Sequence, residues 1–178
     1  MIVKLRGGLC LLALVALFPS TIAAASPAYG NDEDELRIAG CIRQASGGHG
    51  WLQKTLWGFR DQEGGWIGAE IANVDGSFDL GPLQVNSRWV ARIASVTKRD
   101  PDRVRWWLIH DPCFNVETAR WIFLTGLGGA HGYWKAVGIY HSPTNWRQLR
   151  YAEGVAMHLR RRFGPAAFNL KPDDRAVP

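Results

Sequence analysis

One acidic residue stands at the end of an apolar helical stripe, directly before a polar loop that is rich in glycine. Three apolar residues and then the acid follow one helical face at spacings of four, three and four: Leu52, Leu56, Phe59 and Glu63. Two glycines follow at once, and residues 75–86 then read Asp-Gly-Ser-Phe-Asp-Leu-Gly-Pro-Leu-Gln-Val-Asn. The chain must therefore fold so that a carboxyl group lies on the buried side of a helix end, next to a loop.

The position of Glu63 has a chemical consequence. Removal from water disfavours the charged carboxylate and raises its pKa, so a glutamate placed there can keep a proton near neutral pH. Such a group can deliver that proton to a leaving oxygen. The competing interpretation is a glutamate at a frayed helix end that reaches solvent, and the loop that follows favours the catalytic interpretation.

The first 25 residues have the features of a removable secretory leader. Lys4 and Arg6 precede an apolar run from 9 to 18, and three alanines at 23–25 supply the small residues of a cleavage site. The run is about half of the roughly twenty residues that a transmembrane helix needs. We therefore expect a periplasmic or otherwise exported protein. The expected segments are a signal peptide at 1–25, a loose segment at 26–34, a catalytic domain at 35–164 and a C-terminal tail at 165–178.

The charge of the mature chain is mildly basic. Without Lys4 and Arg6, 19 Lys and Arg face 16 Asp and Glu, a net charge of +3. Arginines are concentrated in the last helix, which could bring it to nucleic acid, anionic lipid or an anionic glycan. Cations are also favourable at a helix C-terminus without any ligand. Because no nucleic-acid motif accompanies these arginines, we expect no nucleic-acid partner.

Two cysteines remain after the leader, Cys41 and Cys113. An oxidising compartment lets such a pair persist as a disulfide, and neither cysteine has the neighbours that a zinc site or a thiol nucleophile requires. We predict one bridge across their separation of 72 residues, with a contribution to stability of about 4 kcal/mol. The five histidines lack ligand spacing, so no metal site is expected.

The remaining pattern is mainly helical with one short interruption. Helices are predicted at 35–45, 51–63, 87–97, 101–109, 116–127, 132–141 and 145–163. Asp100 and Asn115 are expected to cap the fourth and fifth of these helices. Between residues 73 and 80, the dipeptide Asp75-Gly76 predicts a short hairpin or turn-rich flap beside the cleft.

Five blocks in order along the chain resemble the soluble lytic transglycosylases, which have a lysozyme-like fold. The blocks are Cys41-Ile-Arg, Glu63-Gly-Gly, residues 73–86, Asp111-Pro-Cys-Phe-Asn-Val and Ala136-Val-Gly-Ile-Tyr-His, within about residues 38–160. The most similar subset is the small exported enzymes that accompany conjugation, secretion and pilus machines. The resemblance implies a mainly α, α+β lysozyme-like fold with a helical bundle and a flap beside the cleft. It also implies peptidoglycan glycan strands as substrate, an envelope-spanning machine as partner, no cofactor and a monomer.

The resemblance assigns roles to individual positions. Glu63 matches the family's sole catalytic acid and base, and Tyr140 matches the tyrosine that faces it. The residues that match the lining of the glycan cleft are Gly81, Leu83, Gln84 and Asn86. The chain departs from the family at two places. Gly64 stands where a serine is usual, and Tyr140-His141-Ser142-Pro143 replaces Tyr-Asn-Ala-Gly.

The run from 75 to 89 is also similar to the active-site segment of animal-type lysozymes, in which the aspartate matching Asp79 is the partner carboxylate. A hydrolytic muramidase of this kind would use Glu63 and Asp79 about 5 Å apart, whereas a lytic transglycosylase needs only Glu63. An aspartate beside a turn also commonly accepts hydrogen bonds from backbone amides. A third class is a wall-binding assembly factor with a residual site, and the joint presence of Glu63, Gln84 and Tyr140 argues against it.

Two tryptophans flank the cleft motif. Trp66 and Trp89 lie where an indole could stack on a sugar ring, whereas Trp107 and Trp121 fit helical core positions. Trp66 is therefore included among the expected glycan contacts.

Overall fold

The structure is a computed structural model that describes residues 31–130 and 132–168. The expected signal peptide at 1–25, residues 26–30 and the tail from 169 onward lie outside the described residues. In chain order the elements are α1 Asp32–Ala45, α2 Gly50–Glu63, β1 Glu70–Ala72, β2 Phe78–Leu80, β3 Val85–Asn86, a 3-10 turn Ser87–Trp89, α3 Val90–Thr97, α4 Pro101–His110, α5 Pro112–Gly129, α6 Tyr133–His141, α7 Asn145–Phe163 and a 3-10 turn Pro165–Phe168. The predicted mainly α, lysozyme-like fold is confirmed.

The first helix begins earlier than the sequence pattern suggested. It starts at Asp32, inside the segment 26–34 that was expected to be loose, because Asn31 caps it by accepting a hydrogen bond from the Asp34 amide over 2.8 Å. Four acidic residues fill the first turn, where negative charge is favourable next to the exposed amides of a helix N-terminus.

The fifth helix also begins earlier than expected, and Asn115 does not cap it. The cap is Asp111, whose carboxylate accepts from the amides of Cys113 at 2.9 Å and Phe114 at 3.0 Å. Pro112 suits the first turn because its missing amide proton would have no partner there. Asn115 is consequently inside the helix, fully buried and available for contacts with other elements. The predicted cap at Asp100 is present, with hydrogen bonds to the amides of Asp102 and Arg103.

The predicted flap is the first hairpin of a three-stranded antiparallel sheet in the order β1-β2-β3. Its turn closes through a hydrogen bond of 2.8 Å from the Asn73 amide to the Ser77 carbonyl. Asp75 stabilises the turn by accepting from the amide of Ser77 at 3.0 Å and from its hydroxyl at 2.6 Å. In the second strand pair Asp79 lies opposite Asn86, so these two polar residues are neighbours.

The core confirms the apolar stripe of α2, since Leu52, Leu56 and Phe59 are all buried. Phe59 packs edge-on against Phe123 of α5, with ring centroids 5.4 Å apart. A disulfide joins Cys41 of α1 to Cys113 of α5, whose Cα atoms are 4.7 Å apart. The first and fifth helices are thereby linked at the end where α5 begins.

The last helix packs along α2 and α6. Arg162 reaches Asp61 of α2 with two hydrogen bonds of 2.7 and 2.6 Å, so at least one arginine of the basic C-terminal segment has a structural role. Its guanidinium also lies 4.0 Å from the ring centroid of Trp57. Within the described residues, every helix is too short or too polar to cross a membrane.

Candidate active site

Glu63 is the last residue of α2, and two glycines position it against the next loop. Gly64 ends the helix in the left-handed conformation, at a φ of 60°, which is accessible to glycine with little strain. Gly65 lies so close to the following loop that a Cβ atom would stand 2.3 Å from the Gly81 carbonyl oxygen and 2.8 Å from Gln84 Nε2. The close approach brings the helix end and the loop 81–84 together.

Hydrogen bonds from the side chain of Asn115 hold the loop 81–84 in place. The side-chain amide of Asn115 donates to the carbonyls of Leu80 and Leu108, each over 2.8 Å, and its oxygen accepts from the Leu83 amide over 2.9 Å. Gly81, at a φ of 68°, passes so close to the Leu108 carbonyl oxygen that a Cβ would be 2.1 Å from it. One buried side chain thus fixes the loop that carries the predicted cleft residues.

The environment of Glu63 favours a protonated carboxyl group. Burial raises the pKa of Glu63 to about 7, and the negative charge of Asp79 adds to this. The hydroxyl of Tyr151 donates a hydrogen bond of 2.5 Å to Glu63 Oε1, which lowers the pKa of Glu63 and partly opposes the effect of burial. At neutral pH the carboxyl group is therefore divided between a form that can donate a proton and a form that can accept one.

Tyr140 lies on α6 and is a neighbour of Glu63, but its hydroxyl bonds elsewhere. It donates to the Leu83 carbonyl over 2.9 Å, while its ring stacks on Phe59 with centroids 4.2 Å apart. Burial, followed by the charges of Glu63 and Asp79, raises the pKa of Tyr140 well above its usual value. Tyr140 therefore remains a neutral donor that ties the cleft loop to α6.

Tyr151 is the contact that sequence reasoning missed. It lies on α7 among Gln148, Ala152 and Val155, which are all buried, so its helical spacing resembles that of an ordinary core residue. Burial, together with the charge of Glu63, raises the pKa of Tyr151 well above its usual value and keeps its hydroxyl protonated. The sequence signal that could have identified this contact is a tyrosine at a buried helical position, since a buried phenol hydroxyl requires a hydrogen-bond partner.

Asp79 is oriented by a side chain rather than by the backbone amides that its place beside a turn suggested. Asn86 Nδ2 donates to Asp79 Oδ1 over 2.8 Å and also to Ser77 Oγ over 3.0 Å. Because Asp79 influences the pKa of both Glu63 and Tyr140, it belongs to the same electrostatic environment. Two residues predicted for the cleft, Asp79 and Asn86, are thus directly paired.

The other predicted cleft residues differ in exposure. Leu83 is fully buried, so its side chain belongs to the core and only its backbone carbonyl is engaged by Tyr140. Gln84 adopts a φ of 49°, and its side chain donates to the Gly81 carbonyl over 2.8 Å. Trp66 is partly exposed one residue beyond Gly65.

Trp89, the second flanking tryptophan, takes part in core packing. Its ring meets that of Trp121 edge-on with centroids 5.7 Å apart, and the guanidinium of Arg92 lies 5.8 Å from it. Among residues 31–130 and 132–168, no group of three or more His, Cys, Asp or Glu side chains is arranged to hold a metal ion.

The fold and the site define a mainly α, lysozyme-like protein with a glutamate of raised pKa at the end of its second helix. The chain belongs to the family of the invasion protein IagB. The IagB proteins of Salmonella typhimurium strains SL1344 and LT2 are each 30% identical to it over an alignment of 135 residues, and the alignment covers 72% of this chain and 81% of the relative. No family model matches the chain, and no solved structure matches it with significance.

Proposed function

We propose that this protein is a peptidoglycan lytic transglycosylase, which cleaves the β-1,4 bond from N-acetylmuramic acid to N-acetylglucosamine and leaves a 1,6-anhydro end. The observation that carries the proposal is the raised pKa of Glu63, about 7, at a helix end beside the cleft loop. A group that is half protonated near neutral pH is suited to act first as an acid and then as a base. The resemblance to soluble lytic transglycosylases supplies the reaction class.

In the first step Glu63 donates its proton to the glycosidic oxygen, and the bond to the muramyl C1 breaks as N-acetylglucosamine leaves. The acetamido oxygen of the substrate stabilises the positive charge that develops at C1, as the resemblance implies. In the second step the Glu63 carboxylate takes the proton from the muramyl C6 hydroxyl, whose oxygen attacks C1. Glu63 ends the cycle protonated, and neither water nor a cofactor is consumed.

Tyr151 stabilises the ionised form of Glu63. Its hydroxyl donates to Glu63 Oε1, so it stabilises the carboxylate that forms after the first proton transfer. Burial acts in the opposite direction and favours the acid. The balance keeps the pKa near the pH at which the acid and the base are both available.

The glycan strand is proposed to lie along the loop 81–84, which packs against Gly65. The residues that we assign to its binding are Trp66, Asp79, Gly81, Leu83, Gln84, Asn86 and Tyr140. The side chain of Leu83 is buried, and its amide and carbonyl bond Asn115 and Tyr140, so its proposed part in binding is to hold the loop in place. A partly exposed Trp66 is available to stack on a sugar ring.

The second candidate is a hydrolytic muramidase that uses Glu63 and Asp79. The observation in its favour is the electrostatic influence of Asp79 on Glu63, which brings a second carboxylate to the same site. In that mechanism Asp79 would stabilise or trap the sugar cation, and water would complete the reaction. The pairing of Asp79 with Asn86 favours a mainly structural role, because the amide already occupies one carboxylate oxygen.

The reaction products distinguish these candidates. Peptidoglycan is digested in water enriched in oxygen-18, and the muropeptides are analysed by mass spectrometry. We expect 1,6-anhydro ends without the label; reducing N-acetylmuramic ends that carry it would establish the hydrolase instead. Asp79→Asn provides a second arm, since it should retain turnover in the transglycosylase and lose on the order of a thousandfold in the hydrolase.

We also propose that the protein is exported through a cleaved signal peptide and works as a monomer in the periplasm, alongside a conjugation, secretion or pilus machine. The support is the leader-like composition of residues 1–25 and the family resemblance. Sequencing the N-terminus of protein recovered from the periplasm tests the cleavage, which we expect close to Ala25.

A further inference from the structure

His141 makes a flat contact with the tyrosine that bonds the catalytic glutamate. It is the last residue of α6, and its imidazole ring stacks on the ring of Tyr151 with centroids 4.6 Å apart and an angle of 4° between the planes. The neighbouring contacts of Tyr151 with Phe59 and Tyr140 are tilted, at 41° and 33°, with centroids 6.3 Å apart in both cases. The imidazole therefore covers one face of the Tyr151 ring more closely than either aromatic neighbour.

This contact bears on the hydrogen bond between Tyr151 and Glu63. A tyrosine hydroxyl changes position when the whole ring swings about the bond between Cα and Cβ, and a partner lying flat on one face blocks that swing. The hydroxyl of Tyr151 lies 2.5 Å from Glu63 Oε1 and must stay within about 3 Å of it to keep its bond. Loss of the stacking ring would leave that face of Tyr151 open to solvent.

The chain is unusual at this position. The family that it resembles has Tyr-Asn-Ala-Gly where this chain has Tyr140-His141-Ser142-Pro143. An asparagine side chain is shorter than histidine and has no aromatic ring. The flat support of Tyr151 is thus specific to the histidine of this sequence and is not part of the motif on which the proposed function rests.

The pKa of His141 is lowered from its ordinary value of 6.5, which favours an uncharged imidazole at neutral pH. Burial lowers its pKa, the charge of Asp79 on β2 raises it, and that of Arg147 on α7 lowers it again. Tyr140 precedes it on α6, and Tyr151, on which it stacks, bonds Glu63 of α2. A neutral ring stacks on a phenol without adding a charge beside the carboxyl group of Glu63.

We propose that His141 is a positioning residue: its ring holds Tyr151 in place so that the hydroxyl keeps donating to Glu63. The inference deepens the proposed function, because the expected effect on turnover rests on Glu63 being the acid and base. The effect on the titration of Glu63 does not depend on which reaction the protein performs.

A double-mutant cycle read by the pKa of Glu63 tests the proposal. The pKa is measured on the folded protein without substrate, by carbon-13 NMR of labelled glutamate carboxyl groups, with Glu63→Gln used to assign the signal. We expect His141→Ala to raise the pKa of Glu63 towards the value in Tyr151→Phe, since the donor to the carboxylate is lost in both. His141→Phe, which restores a flat ring, should return the pKa towards that of the wild type.

The cycle also separates positioning from a general loosening of the fold. In the Tyr151→Phe background, His141→Ala should produce no further shift, because the hydroxyl that it positions is gone. His110→Ala is the matched control, since it removes a histidine ring that contacts Trp106 of the same helix at 5.0 Å. His141→Asn, the residue usual in the family, gives a second variant without the ring if the alanine variant is poorly folded.

Three results would overturn the proposal: a pKa of Glu63 that stays unchanged or falls in both ring-less variants, an equal shift in the Tyr151→Phe background, or no recovery in His141→Phe. Turnover gives an independent readout. We expect a several-fold lower kcat in His141→Ala, with little change in KM and partial recovery in His141→Phe. If the muropeptides lack anhydro ends while the pKa cycle behaves as described, the proposed function fails and the positioning role stands.

Discussion

Tyr151 of α7 donates a hydrogen bond to Glu63 at the end of α2, with 2.5 Å between the two oxygen atoms and a sequence separation of 88. The bond joins the second helix to the last one. It also stabilises the carboxylate form of a group that burial would otherwise keep protonated to a higher pH. The protonation equilibrium of Glu63 is therefore adjusted by a residue from the far end of the domain.

Replacement of Glu63 by glutamine should abolish wall-degrading activity. Glutamine keeps the shape of the side chain and can still accept from Tyr151, but it has no proton to transfer at this pH. We expect turnover to fall by at least a thousandfold with the fold retained. The measurement is muropeptide release, with Glu153→Gln on the exposed face of α7 as control. Near-normal turnover in a folded Glu63→Gln variant would contradict the assignment.

Relative to the wild type, the same variant should gain stability as the pH rises. The pKa of Glu63 is about 7 in the folded protein against an ordinary value of 4.5, so between these values the unfolded chain releases a proton that the folded chain retains. Stability of the wild type therefore falls as the pH rises through this window. Glutamine does not titrate. The free energy of unfolding of Glu63→Gln minus that of the wild type should therefore be larger at pH 8 than at pH 4, by on the order of 3 kcal/mol. Urea unfolding of both proteins at pH 4 and pH 8 measures this. If the difference in stability between the variant and the wild type is the same at the two pH values, Glu63 is not desolvated.

Tyr151→Phe should move the alkaline limb of the activity profile to higher pH. Phenylalanine removes the donor to the carboxylate and leaves the burial in place, so the pKa of Glu63 should rise above about 7. The protonated acid then persists to higher pH, and kcat/KM should decline later as the pH increases. Tyr133→Phe is the matched control, because the hydroxyl of Tyr133 contacts Thr55. A downward shift in Tyr151→Phe would mean that water replaces the lost donor.

Gly65→Ala should separate the helix end from the cleft loop. Its Cβ would stand 2.3 Å from the Gly81 carbonyl oxygen, which is backbone and cannot rotate away. We expect a loss of about 1–3 kcal/mol in the free energy of unfolding, and a larger loss in kcat/KM because the loop moves relative to Glu63. Gly128→Ala in α5 is the control, since nothing lies within 4 Å of its added methyl group. If both variants retain wild-type activity, the close approach has no functional role.

Removal of the disulfide should cost much of the stability of the domain. The bridge from Cys41 to Cys113 spans 72 residues, for which loop-closure entropy predicts about 4 kcal/mol. We expect the Cys41→Ala and Cys113→Ala double variant to unfold about 10 °C or more below the wild type. A reducing agent should lower the Tm of the wild type and leave that of the double variant unchanged. If the reducing agent lowers the Tm of both proteins, the loss of stability has a cause other than this disulfide.

Local patterns were sufficient for most of the secondary structure. The apolar spacing along α2 placed Glu63 on the line of the buried face, and the glycines after it ended the helix where the structure ends it. The Asp75-Gly76 turn identified the hairpin because its geometry depends on a few adjacent residues. The start of α5 was harder to predict, because Asp111 and Asn115 are both residue types that cap helices well. Only the packing of Asn115 against the loop at Leu83 decides that Asn115 is buried inside the helix.

The sequence by itself determined that one acid would end an apolar helix beside a glycine-rich loop, since both features are encoded within residues 52–86. Tertiary structure alone decided which groups set the behaviour of that acid. Tyr151 and His141 come from α7 and α6, and their contacts depend on how helices pack rather than on periodicity. A buried tyrosine on a helix has the same spacing whether its hydroxyl meets a carboxyl group or a backbone carbonyl, because side-chain periodicity reports burial and not the identity of the partner.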